Sequence, residues 1–364
     1  MKFVHIADIH FDSPFINLSD RESLGDMKRL EQRKVLKKVI DYIKENNIKY
    51  LFISGDLYEQ KYIRKSTIEY INNLFKEIPK TKIYISPGNH DPYIKNSYYN
   101  RFTWSENVHI FNSKIERIEL EDVDIYGYGF DDFYCTNCGI EDLEIVNKDK
   151  KNILVIHGTI DGANLEEKQY NSMPRKLLEE KGFDYVAVGH IHKLDYNTYE
   201  NQKIVYPGSL IALGFDEIGE HGMIVGELND TDLKTEFIPL GETDFIEIEL
   251  DVTDIISKDE LIEKINDLEI TENQLIKIIL IGKRKFEIDR NEIYKLVTNE
   301  RIIKIKDHTR IEYDLEKIAN DNTLKGIFAK EILKEKENAR RRRNRNNRKS
   351  SRNSIWSIRI KKNK

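Results

Sequence analysis

Five short motifs carry side chains that ligate metal ions: Asp8-Ile9-His10, Gly55-Asp56, Gly88-Asn89-His90-Asp91, His157-Gly158 and Gly189-His190-Ile191-His192. Carboxylate, imidazole and amide oxygen together suit Mn²⁺, Fe²⁺ or Zn²⁺ better than the all-oxygen sites of Mg²⁺ or Ca²⁺. Asp8, His10, Asp56, Asn89, His157, His190 and His192 are the candidate ligands, and they are too many for one ion. Two ions about 3.5–4 Å apart, bridged by a carboxylate, stabilise the pentacoordinate phosphorus of an in-line displacement, so phosphoester hydrolysis is the chemistry this set predicts. Five of the nine histidines fall in these motifs, whereas His5, His109, His221 and His308 are scattered. That clustering separates the set from unconnected core histidines.

Short apolar runs rich in β-branched and aromatic residues read as buried strands at residues 3–7, 50–54, 83–86, 153–156, 185–188 and 204–206. The first five lead directly into the motifs. Leu36, Val39, Ile40 and Ile43 recur at helical spacing before the second run, as do Ile68, Ile71, Leu74, Phe75 and Ile78 before the third. Strand and helix alternate, so the fold class is α/β. Loops beyond the carboxyl ends of such strands share one crevice, where residues from Asp8 to His192 converge. Glycine beside four of the groups permits the tight turns.

From about Glu242 the pattern changes. Phe245-Ile246-Glu247-Ile248-Glu249-Leu250 alternates apolar and charged residues, 260–268 looks helical, and 275–281 is a dense apolar strand, which together fit a small α+β domain. Residues 324–336 read as a helix with Ile327, Phe328, Ile332 and Leu333 as its apolar face, and a basic low-complexity stretch follows. The expected organisation is a catalytic domain at 1–240, a second domain at 241–320, a helix at 321–338 and a disordered basic tail at 339–364.

Charged residues reach 34% of the 364, above the usual share of about 25%, while the 39% hydrophobic share includes 19 tyrosines, so tyrosine must help build the core. No run approaches the roughly 20 apolar residues needed to cross a bilayer, and the start lacks a signal-peptide pattern; a soluble, cytoplasmic protein without a membrane partner is expected. Two cysteines exclude a disulfide framework. Cys135-Thr136-Asn137-Cys138 has zinc-pair spacing, but no second pair follows, and a surface loop is the expectation. The net charge of −5 hides an asymmetry, because residues 340–364 hold twelve Lys/Arg and no acid, leaving the rest at −17. That acidic body offers no general attraction to DNA.

The order and spacing of the motifs resemble the calcineurin-like metallophosphoesterase superfamily, which runs Asp-x-His, Gly-Asp, Gly-Asn-His-Asp/Glu, His and Gly-His-x-His. Within it, the chain is similar to the SbcD/YhaO-type DNA repair exonucleases through Ala7-Asp8-Ile9-His10-Phe11-Asp12-Ser13-Pro14-Phe15 and Tyr206-Pro207-Gly208-Ser209-Leu210, extended by Gly214-Phe215-Asp216-Glu217 and Gly219-Glu220-His221-Gly222. The likeness is close over 1–240, looser over 241–336 and absent from the last 25 residues.

The resemblance implies a β-sandwich flanked by helices, followed by a small α+β capping domain. It implies two divalent ions, most often Mn²⁺, one held by Asp8, His10, Asp56 and His192 and the other by Asp56, Asn89, His157 and His190. His90 is then the non-ligand histidine that stabilises the phosphate or protonates the departing sugar oxygen, a task suited to a group titrating near neutrality, with Asp91 orienting it. Some relatives carry a helping histidine three residues after the bridging aspartate; here Glu59 stands there and receives no catalytic role. The implied function is a DNA nuclease working as a homodimer with an SbcC-like ATPase.

Two rival readings share these motifs. One is a metallophosphoesterase for small phosphodiesters or phosphoproteins, against which stand the second domain and the lack of an arginine-bearing stretch after Gly55-Asp56. The other is a non-catalytic DNA-tethering or ATPase-adaptor subunit, against which stand the complete ligand set and His90. Tyr93, Lys95 and Arg101, interleaved with Tyr98, Tyr99, Phe102 and Trp104, are candidate DNA contacts, with helix packing or a dimer contact as the plainer alternative. The arginine-rich tail reads either as a nucleic-acid-binding segment or as a frame-shifted glutamate-rich continuation, GAA codons becoming AGA or AAG. His5 and His221 are expected to be hydrogen-bonded core residues or supports for the ligands.

Overall fold

The computed structural model describes residues 1–15, 24–162, 170–195, 202–229, 232–313 and 315–360, with side chains left out at 290–291 and beyond 343. Two compact units emerge, one of residues 1–248, 269–278 and 299–304, the other of 249–268, 279–298 and 305–364.

The first unit opens with β1 (Lys2–Ile6), α1 (Leu24–Glu45), β2 (Tyr50–Ile53), α2 (Lys65–Lys76), β3 (Lys82–Ile85), the single-turn α3 (Tyr98–Arg101) and β4 (Val108–Ile110). It continues through β5 (Glu116–Glu119), β6 (Val123–Gly127), β7 (Lys151–His157), α4 (Arg175–Lys181), β8 (Tyr185–Gly189), β9 (Ile204–Val205), β10 (Gly222–Leu228) and β11 (Leu233–Pro239). These strands form a six-stranded sheet, β11-β10-β1-β2-β3-β4, and a five-stranded sheet, β5-β6-β7-β8-β9. β1 to β4 are mutually parallel, as are β6 to β9.

Side-chain alternation explains the layering. In β1, β2 and β3 the residues Phe3, Phe52 and Tyr84 point one way and meet Ile153, Val155, Tyr185 and Ala187 of β7 and β8, so the two sheets pack face to face. Their neighbours Val4, Ile6, Leu51, Ile53, Ile83 and Ile85 point the other way, onto Val39, Ile40, Ile71 and Phe75 of α1 and α2. Leu154, Ile156, Val186 and Val188 likewise cover the far face of the second sheet with Leu178 of α4. Strands buried on both faces must read as continuous apolar runs, which is how they stand in the sequence. The expected helix-flanked β-sandwich is the architecture observed.

Beyond it come β12 (Asp244–Asp251), α5 (Lys258–Asn266), β13 (Gln274–Ile281), β14 (Lys283–Arg284), α6 (Arg290–Leu296), β15 (Ile302–Asp307), β16 (Arg310–Ile311), α7 (Leu315–Ala319) and α8 (Leu324–Ile360). β12, β13 and β15 make a three-stranded sheet and β14 pairs with β16. The start of β12 is fixed within the first unit by Glu31, which accepts from the N–H groups of Glu242 and Thr243 and pairs with the buried Lys28 at 2.5 Å.

Two features of α8 differ from the sequence reading. Ile327 and Phe328 are 64% and 69% exposed, while Gly326 and Ala329 are the buried positions, because the small residues allow the close approach to α7. Helical backbone also runs on through the arginine stretch assigned to a tail, as arginine and lysine are good helix formers once a helix is started. Residues 361–364 of that tail lie outside the described residues. No described helix is long and apolar enough to cross a membrane.

Candidate metal centre

All seven candidate ligands sit at the carboxyl ends of β1, β2, β3, β7 and β8, or in the turns that follow. Backbone pairing between the first two strands continues past their ends: the Asp8 N–H donates to the Gly55 carbonyl at 3.1 Å and the His10 N–H to the Asp56 carbonyl at 2.9 Å. In the second sheet His157 pairs in register with Gly189, which brings His190 beside it. Asp8, His10, Asp56 and His190 adopt φ of 51°, 51°, 52° and 106°, a left-handed region that non-glycine residues enter at a cost. The surrounding sandwich is what holds them there.

Glycines make room for the ligands. A Cβ on Gly55 would lie 2.2 Å from His157 Nδ1, and one on Gly88 would lie 2.3 Å from Asp56 Oδ1.

The side chains converge in linked groups. Asp8, His10 and His192 form one, Asp56, His157 and His190 another, and His10, Asp56 and His90 a third that joins them. Asp56 Oδ2 lies 3.4 Å from His157 Nε2 and 3.7 Å from His10 Nε2. Asn89 Oδ1 is 3.0 Å from His157 Nε2 and 3.1 Å from His190 Nδ1.

Hydrogen bonds on the far ring nitrogens decide the tautomers. His10 Nδ1 faces Glu59 Oε1 at 2.8 Å, His192 Nδ1 faces Glu217 Oε1 at 2.6 Å, and His157 Nδ1 faces the Ser54 carbonyl at 2.9 Å. Each partner only accepts, so each Nδ1 carries the proton and each Nε2 aims a lone pair into the cluster. Lone pairs then face one another: His10 Nε2 and His192 Nε2 are 3.0 Å apart, and His157 Nε2 confronts the amide oxygen of Asn89. Such a convergence of acceptors repels itself unless a cation lies among them. The donor set, nitrogen and oxygen without sulfur, fits divalent transition ions.

Burial sharpens the same point. It pushes the Asp8 carboxyl up against the pull of His192, with Asp56 adding to the rise. Burial also opposes the charge of Asp56, but His157, His90 and His10 outweigh it and hold that carboxyl below the usual range. His190 is lowered to about 3 and His157 is lowered too, chiefly by burial, which keeps both imidazoles neutral and ready to ligate.

His90 is the exposed member, with 44% of its side chain accessible. Its Nδ1 partner is not Asp91. Glu59 Oε2 takes it at 3.0 Å while the other oxygen of Glu59 holds His10, so one carboxylate joins a metal-ligand histidine to the non-ligand one. Burial disfavours the His90 cation, yet the bond to Glu59 and the nearby Asp56 raise it to about 9. Glu59 itself is drawn down to about 2, burial being overcome by His10 and His90. The role expected of Asp91 is therefore corrected. Its carboxylate is buried and accepts from the N–H groups of Gly88, Asp56 and Leu57 and from the Tyr99 hydroxyl, which ties the loops after β2 and β3 together. Sequence reasoning missed Glu59 because its position in the motif carries a histidine in some relatives and a glutamate does not resemble one. Glu217 was legible only as part of a motif, and its contact with His192 was not.

The remaining candidates separate. Tyr93, Tyr98, Phe102 and Trp104 pack on the core of the first sheet's helical face, and Tyr99 is buried. Lys95 and Arg101 are exposed, Arg101 bonding Asn96. His5 lies between the sheets, 2.9 Å from the Tyr185 hydroxyl and 2.7 Å from Ser54 Oγ. His221 is buried against Ser209 and the Glu217 carbonyl. Cys135 and Cys138 are buried rather than on a surface loop, because their apolar thiols anchor that loop in the second sheet's outer core.

The sequence profile of the calcineurin-like phosphoesterases matches residues 1–194. The chain belongs to that family. This phosphoesterase is 24% identical over 276 residues to the uncharacterized metallophosphoesterase YhaO of Bacillus subtilis, covering 73% of this chain and 67% of the other. It is 26% identical over 276 residues to the D subunit of the nuclease SbcCD of Staphylococcus saprophyticus, covering 66% and 69%. These relatives support the SbcD/YhaO-type assignment within the calcineurin-like phosphoesterases. Among solved structures it is similar to TT1561 of Thermus thermophilus, with a TM-score of 0.40 and 11% identity over 65% of this chain and 98% of that one. It is also similar to the zinc complex of Vps29 from Entamoeba histolytica, with a TM-score of 0.31 and 14% identity over 66% and 99%. Family membership makes the chain a metal-dependent phosphoesterase hydrolase.

Proposed function

We propose that this phosphoesterase is a two-metal-ion DNA nuclease of the SbcD/YhaO type, that Mn²⁺ is its metal, and that it works as a homodimer with an SbcC-like ATPase. The observation that carries the reading is the position of Asp56, whose Oδ2 stands within 4 Å of an imidazole lone pair from each ligand group. Asp8, His10, Asp56 and His192 would hold one ion, and Asp56, Asn89, His157 and His190 the other. Bound there, the ions supply Lewis-acid stabilisation of the charge that builds on the phosphoryl oxygens.

The protein's own groups do the rest. Asp56 keeps the two ligand groups in register, since its Oδ1 also accepts from the His90 N–H at 2.8 Å. Glu59 turns His90 so that its Nε2 faces outward from the cluster, where it donates a proton to the departing sugar oxygen. Lys95 and Arg101 remain as phosphate contacts, Tyr93 serving them by packing. The likeness to the SbcCD nuclease chain supports DNA as the substrate and an ATPase as the partner, with residues 241–320 as the capping domain.

The test is Mn²⁺-dependent cleavage of end-labelled single- and double-stranded DNA beside bis-p-nitrophenyl phosphate. His90→Ala is expected to abolish the DNA ladder while metal and DNA binding persist. Turnover of the small diester with DNA left intact would replace this reading with that of a small-phosphodiester hydrolase, and hydrolysis unaffected by His90→Ala would remove the assigned proton donor.

A further inference from the structure

Two large aromatic rings stand outside the protein beside the metal centre. Phe133 and Tyr134 are 42% and 59% exposed, although Phe130, Cys135, Cys138 and Ile140 around them are buried. Adjacent exposed aromatics on a loop whose other apolar groups are buried mark a contact surface rather than incomplete packing.

This loop is fixed. The Phe130 N–H donates to the Pro87 carbonyl at 3.0 Å, and the Cys135 carbonyl accepts from the Asn171 N–H at 2.5 Å. Asn171 in turn donates from Nδ2 to the carbonyl of His157 at 2.9 Å. The position of Tyr134 is thus tied to the strand that carries a candidate metal ligand. From Tyr134 the rings run inward, its centroid 5.9 Å from that of Tyr170, whose centroid is 4.8 Å from that of His190, each pair inclined by only 33°.

We propose that Tyr134, with Phe133 beside it, is a stacking platform for an unpaired nucleobase adjoining the phosphate held at the metal centre. Residues 130–147 contain no lysine or arginine, and Asp131 and Asp132 precede the rings, so this loop does not grip phosphate. What it offers is flat π surface, which every base can use and which a base inside a duplex cannot reach without leaving its stack. The platform therefore selects single strands or frayed ends. It deepens the nuclease reading and rests on it.

The experiment walks 2-aminopurine along a single-stranded DNA oligonucleotide, one position at a time, bound to the metal-loaded His90→Ala protein. Quenching confined to one or two positions is expected, lost when Tyr134→Leu is added and kept when Tyr134→Trp is added. Leucine preserves apolar bulk without a π face, so it separates stacking from packing of the loop. With His90 intact, Tyr134→Leu should raise KM for the single strand by about 5- to 100-fold with little change in kcat. An abasic residue at the mapped position should cost the wild-type protein as much and add nothing to the variant's loss. Quenching unaltered by Tyr134→Leu, or an added loss on the abasic strand, overturns the platform. A wild-type chain that hydrolyses bis-p-nitrophenyl phosphate but binds no oligonucleotide overturns the nuclease reading and the platform with it.

Discussion

A carboxylate accepts two N–H groups at once, and Glu59 uses both oxygens, one for His10 and one for His90. The amide of glutamine has one acceptor, and its NH₂ must confront the other ring. Glu59→Gln is therefore expected to cost about 10–100-fold in metal affinity or kcat/KM, the usual penalty for losing the partner of a ligand histidine. Calorimetric titration with Mn²⁺ beside steady-state kinetics checks this. Unchanged values in both would return Glu59 to a structural role. His5 gives a different prediction at the same scale. Burial lowers it to about 3, whereas an unfolded chain's histidine titrates near 6.5. Between those values the unfolded chain takes up a proton that the folded one refuses, so stability is full above about pH 6.5 and falls as the pH drops toward 3. His5→Gln should flatten the fall of the urea midpoint over that window. A slope equal to the wild type's would assign the acid sensitivity to the carboxylates instead.

The strands act as a unit because their carboxyl ends must bring side chains within a few ångströms of each other without a Cβ between them. Gly88 is the tightest case: an added methyl group meets Asp56 Oδ1 at 2.3 Å, and Asp56 is held by backbone on either side. Gly88→Ala is expected to leave the circular-dichroism spectrum intact while metal affinity falls by tenfold or more, since the carboxylate shared by the two ligand groups has to move. A variant that bound Mn²⁺ like the wild type would show that the loop after β3 can yield. Asp91 works at this scale as well, since three backbone donors and a phenol spread over two loops meet on its carboxylate.

Charge is a property of the whole chain, and it is divided unevenly. Residues 340–364 carry twelve Lys/Arg, and everything before them sums to −17. An acidic body repels a polyanion at long range, so the basic segment is the natural source of salt-dependent affinity. Removing residues 339–364 should flatten the plot of log Kd against log salt for single-stranded DNA, by about 0.7 for each phosphate that is no longer neutralised. An unchanged slope would leave the phosphates to groups such as Lys95 and Arg101 near the centre.

Much of this was legible without coordinates. Ligand types are dictated by chemistry, strands buried on both faces must be apolar throughout, and ligands at strand ends must follow those runs, so Asp8, His10, Asp56, Asn89, His157, His190 and His192 stand out in order along the chain. The α/β class followed from the same alternation. Other features depend on which loop meets which in space, and no local pattern records that. Only the tertiary structure decided that His90 leans on Glu59 and not on its neighbour Asp91. It alone turned the aromatic run at 93–104 into packing, buried Cys135 and Cys138, and left Tyr134 exposed at the end of a ring stack from His190. Residue type and strand position are written in sequence; the choice among hydrogen-bond partners a few ångströms apart is made by the packing of two sheets.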